Sequence, residues 1–192
     1  MKFLALALAL ALAVLCLSPS VSQAQDVTSY RVLATNKTST MQQEMQEAAA
    51  AGFRFAAVMG GETSFGGNEV VVLMQKTPTA QRFEYRLLAT NKTSTLQKEL
   101  QEAANAGFAF VGQTVFESLF GGKEVAAILE RNPDVPATGT WEYKLIATKR
   151  TSTLQKELQE LGDQGFQALA MTVGQTAIGG AELVVITRRK VR

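Results

Sequence analysis

Three segments place a cation beside three hydroxyls: Asn36-Lys37-Thr38-Ser39-Thr40, Asn91-Lys92-Thr93-Ser94-Thr95 and Lys149-Arg150-Thr151-Ser152-Thr153. Each leads into an amphipathic stretch. The hydroxyls would therefore sit at a helix start, where free N–H groups and the helix dipole favour an anion. Lys37, Ser39, Thr40, Lys92, Ser94, Thr95, Arg150, Ser152 and Thr153 are the candidate ligand-binding residues, suited to a phosphate, sulfate or carboxylate. The competing reading is purely structural. Ser39, Ser94 and Ser152 are good N-caps, and Gln42, Gln97 and Gln155 three residues later would complete a capping box. No glycine-rich phosphate cradle precedes these segments.

Other chemistry is sparse. The chain has no histidine, and its one cysteine, Cys16, lies near the N-terminus. A disulfide framework and Cys/His metal sites are thereby excluded, as is acid–base or nucleophilic work by histidine or a mature cysteine; a Ser/Lys or Glu/Tyr site stays open, with no spacing that points to one. Glu69, Glu124 and Glu182 recur at one position, and three such carboxylates meeting at an axis would suit calcium. The simpler role is a soluble strand end. Tyr30, Tyr85 and Tyr143 also recur; each would pack its ring and turn its hydroxyl outward. The expectation is a non-enzyme with no cofactor and no metal.

The formal net charge is +2, and losing Lys2 with a leader leaves 18 basic against 17 acidic residues. Such balance gives no electrostatic reason to bind nucleic acid or an anionic membrane. Residues 1–24 read as a signal peptide: Lys2, then an apolar run from Phe3 to Leu17, then Ser22-Gln23-Ala24 as a cleavage site. The run is shorter than the ~20 residues of a membrane span. A short leader of this kind suggests a bacterial source. The mature chain is expected to be periplasmic or secreted, with no membrane span.

The elements that hold these residues come in triplicate. Thr93 to Glu102 is identical to Thr151 to Glu160, and Thr38 to Glu47 differs only by Met41, Gln43 and Met45. Around it lies a unit of roughly fifty residues. The glycine of each Gly-Phe pair (Gly52, Gly107, Gly165) falls 22 residues after the tyrosine, and a Gly-Gly pair begins 36 after it. Each unit reads strand, helix, strand, strand. Leu96, Leu100 and Ala103 form a helical stripe, Gly107 ends the helix, and Gly121-Gly122 suits a two-residue hairpin turn. Val70-Val71-Val72-Leu73-Met74 is apolar without alternation, as in a strand covered on both faces. The predicted fold is α+β: three tandem βαββ units (25–78, 79–133, 134–192), each a three-stranded antiparallel sheet of order 1-3-2 with one helix on one face. One unit buries too little alone, so the sheets should pack against each other, or the chain should self-associate.

The segment Glu142-Tyr143-Lys144-Leu145, followed by Leu158-Gln-Glu-Leu161-Gly-Asp-Gln-Gly165-Phe166, resembles a small bacterial βαββ family, a domain of unknown function. The other units keep the tyrosine, the Gly-Phe pair and the basic ends Lys76 and Arg131, but carry Ala48-Ala49 and Ala103-Ala104 for Leu161-Gly162. The resemblance implies the fold and no catalytic or ligand residue. The same element order occurs in dodecin-like flavin binders, a likeness of topology alone. The function expected is an exported, non-catalytic repeat protein acting through protein–protein or envelope contacts, with a protein partner or self-association. The alternative is a small-ligand or anion binder using sites between repeats or at helix N-termini.

Overall fold

Three copies of one element order follow one another: β1 (Tyr30–Thr35), α1 (Thr38–Ala50), β2 (Phe53–Thr63) and β3 (Gly67–Lys76); β4 (Glu84–Thr90), α2 (Thr93–Asn105), β5 (Ala109–Ser118) and β6 (Gly122–Arg131); β7 (Trp141–Thr148), α3 (Thr151–Asp163), β8 (Gln167–Gln175) and β9 (Ala181–Lys190). The computed structural model describes residues 28–63, 67–78, 81–118, 122–136, 141–175 and 180–191. The leader and Cys16 lie outside them, as do Phe65, Leu119 and Phe120 near the hairpin tips. Among the described residues no helix is long and apolar enough to cross a membrane.

Each unit forms its own antiparallel sheet, with orders β1-β3-β2, β4-β6-β5 and β7-β9-β8. The third strand of each unit is thus central, as its apolar run required. Strand pairing continues without interruption through Gly60-Gly61 and Val173-Gly174. The irregularity lies earlier, between Phe55 and Ala57, Phe110 and Gly112, and Ala168 and Ala170. An extra residue there bends the strand and leaves one backbone group unpaired. The two-residue Gly-Gly turn is also corrected. Gly67 already pairs with Thr63, and Gly122 with Ser118.

The helices start earlier than serine capping implied. Their N-caps are Lys37, Lys92 and Arg150, none with a side-chain cap. Ser39, Ser94 and Ser152 lie inside the first turn, so the capping box does not form. At the other end the glycine reading holds. Gly107 has φ +84°, its N–H bonds Ala104 O at 2.9 Å, and the Phe108 N–H bonds Ala103 O at 3.0 Å. That double bond is a Schellman cap, which a left-handed glycine permits. The basic ends finish the job: Arg131 donates to Ala106 O and Arg189 to Gln164 O, both at 3.0 Å. Lys76 makes the same contact with Ala51 O. A cation on the last carbonyls complements the helix dipole.

The cores are shared between units. Met41, Met45 and Ala48 of α1, all 0% exposed, join Val72 and Met74 of β3 with Tyr85, Ala126 and Ile128 of the second unit. Leu96, Leu100 and Ala103 of α2 likewise meet Tyr143 and Ile186 of the third unit. The forward, helix-bearing face of each sheet is thus covered partly by its own helix and partly by the back of the next sheet. Among the described residues no further sheet packs on the third unit, and its core is the smaller cluster of Ile146, Leu154 and Val185.

Candidate functional site

The functional geometry lies at the joints between units. At the first joint the Tyr85 ring is buried and its hydroxyl reaches back into the unit before it. There it accepts the Phe55 N–H at 2.8 Å, beside the β2 bulge, and donates to Glu130 Oε2 at 2.8 Å. The hydroxyl therefore points inward, which corrects the outward orientation expected from sequence. The bulge supplies the N–H that the tyrosine uses. Arg54 of the first unit closes the cluster by bonding both oxygens of Glu130, which is only 7% exposed. Bidentate pairing satisfies a carboxylate that burial would otherwise penalise. Burial pushes the Tyr85 phenol well above its ordinary range. The hydrogen bond to Glu130 raises the Arg54 guanidinium further.

The second joint repeats the tyrosine and drops the ion pair. The Tyr143 hydroxyl accepts the Phe110 N–H at 2.9 Å. Ala109 stands where Arg54 stood, and Arg188 where Glu130 stood. Arg188 instead stacks on Trp141, 4.1 Å from the ring centre.

Helix glutamines complete each joint. β4 is an edge strand, so one side of its backbone needs partners. Gln42 Oε1 accepts the Leu87 N–H at 2.9 Å, and Gln46 Nε2 donates to Tyr85 O at 2.8 Å. In the second joint Gln97 accepts the Leu145 N–H at 3.1 Å. Gln101 accepts the Tyr143 N–H and donates to Trp141 O, both at 3.0 Å. The i, i+4 spacing puts both amides on one helical face, about one strand repeat apart. Sequence reasoning assigned Gln42 and Gln97 to a local cap; their partners lie more than forty residues away. The signal available in sequence was the exact recurrence of two glutamines in every helix.

Both ends of the array keep half of a joint. At the start, Tyr30 is 58% exposed, Val32 64% and Met59 57%, whereas Tyr85 and Tyr143 are 2% exposed. At the finish, Leu158 and Leu161 are only half-buried, and Met171 and Val173 are 64% and 54% exposed.

The candidate anion residues do not converge. Lys37, Ser39, Lys92, Ser94, Arg150 and Ser152 are exposed, and Thr40, Thr95 and Thr153 are half-buried behind them. They sit on three separate helix starts. The Lys37, Lys92 and Arg150 amides instead bond the hydroxyls of Thr35, Thr90 and Thr148. Glu69, Glu124 and Glu182 form no metal-holding group with one another, and no such cluster occurs among the described residues. One open cleft of about 510 Å³ lies where the three hairpins meet, bordered by Gly61, Asn68, Val115, Lys123, Gly174 and Ala181.

No protein family, curated protein or solved structure matches the chain.

Proposed function

We propose that this chain is an exported, non-catalytic repeat protein that works through protein–protein contacts at the two ends of its array. One observation carries the reading: the apolar faces bearing Tyr30, Val32 and Met59, and Met171 and Val173, are exposed. Repeat arrays that stay alone are closed by terminal units with polar outer faces. Apolar patches left open at both ends are suited to docking another protein. The absence of histidine, and of cysteine beyond Cys16, agrees with a role in contact. The test places a photo-crosslinking amino acid at position 32 or 171 of the full chain in its native host. A light-dependent protein adduct is expected from at least one end. Silence at both ends, with the protein folded and exported, overturns the reading.

A second reading is favoured by the cleft between the hairpins, which all three units border. Its size suits a small ligand. A thermal-shift screen of the purified protein against anions, calcium and flavins tests it, because a ligand that binds only the folded state raises its melting temperature.

A further inference from the structure

We propose that the chain binds further copies of itself head to tail, the back of the first unit docking on the forward face of the third by the same joint used twice internally. The inference rests on the end-contact reading above and names the partner.

Every part of a third joint is present, in two halves. The head offers Tyr30 at the position of Tyr85 and Tyr143, and the outer edge of β1 at the position of β4 and β7. The tail offers Gln155 and Gln159 on α3, at the spacing of Gln42 and Gln46. The β8 bulge at Ala168 corresponds to the bulges at Phe55 and Phe110, whose N–H groups receive the tyrosine hydroxyls. Docking would give Tyr30 the Ala168 N–H, and would give the Val32 N–H the amide oxygen of Gln155.

The residues that vary between joints fit as well. The Arg54–Glu130 position becomes Gln167 on the tail and Gln75 on the head, both exposed. Two amides pair with one another and bring no charge into the interface. A Cβ at Gly112 would lie 3.3 Å from Val58 Cγ1, so these two positions touch across the first joint. Their counterparts here are Ala57 on the head and Met171 on the tail, a small residue against a flexible one. Val71 and Leu73 of β3 are half-buried, whereas Ala126 and Ile128 of β6 are covered by the unit before them. A docked tail would cover the first pair in the same way. Because head and tail are different surfaces, the contact is heterologous and builds a ring or an open array.

Sedimentation velocity of the purified full chain over a concentration series tests this, with Val32→Glu blocking the head and Met171→Lys blocking the tail. Both positions are exposed, and circular dichroism checks that each variant is folded. The unaltered protein should gain mass with concentration, and each variant alone should stay monomeric. An equimolar mixture should form a dimer and nothing larger, since one intact head meets one intact tail. A monomer at every concentration overturns the proposal, as does association that survives both substitutions or a mixture that stays monomeric. A photo-adduct with a different protein, together with monomeric behaviour, removes self-association and leaves the end-contact reading standing.

Discussion

The Tyr85 hydroxyl lies 2.8 Å from the Phe55 amide nitrogen, so a side chain of one unit bonds the backbone of the unit before it. The same hydroxyl reaches Glu130, a buried acid held by Arg54. Tyr85→Phe keeps the ring and removes both bonds. The Phe55 N–H and one oxygen of Glu130 then lose a partner in a buried site. A loss of about 1–3 kcal/mol is expected, measured by urea denaturation.

The same group sets a response to alkali. Burial raises the Tyr85 phenol, whereas an unfolded tyrosine ionises near pH ~10. Above that pH the unfolded chain releases a proton that the native chain retains, so stability falls as pH rises. Below it this contribution is fully present. The stability gap between the unaltered protein and Tyr85→Phe should therefore narrow above pH ~10. Denaturation midpoints across the alkaline range check it.

Identical letters should behave differently by place. Gln42→Ala removes the acceptor of the Leu87 N–H and should cost about 0.5–1.5 kcal/mol. Gln155→Ala, on the exposed face of α3, should fall within ~0.5 kcal/mol of the unaltered protein in dilute solution. Hydrogen exchange of the Leu87 amide should quicken in the first variant and stay unchanged in the second.

Gln113 faces the third unit with both amide atoms buried and unbonded among the described residues. Its counterparts are Val58 and Met171. Gln113→Met removes the stranded polar atoms at similar volume and should stabilise by about 1–2 kcal/mol, read as a higher melting temperature.

The unit was legible because its signals are local. The tyrosine-to-glycine spacing marked the repeat, Gly52, Gly107 and Gly165 marked helix ends, and the run from Val70 to Met74 marked a central strand. The joints were not legible, because their partners are distant. Ser39 with Gln42 matches a capping box residue for residue, yet the glutamine serves Leu87. Tyr85 was expected to point outward because nothing nearby in sequence shows the bulge at Phe55. The apolar run in β3 was read as covered on both faces. In the structure Val70, Val72 and Met74 are buried with the apolar side of α1, whereas Val71 and Leu73, on the opposite face, are only half-buried. The nine candidate anion residues lie at the three helix starts where the sequence put them, each group apart from the others.

The glutamine amides and the tyrosine hydroxyls address main-chain atoms of the adjoining unit. Recognition of that sort is indifferent to which side chains the neighbour carries. The side chains around those bonds are particular to each joint: deleting the second unit would set Arg54 against Arg188, so a change of neighbour keeps the backbone bonds and calls for new side chains beside them.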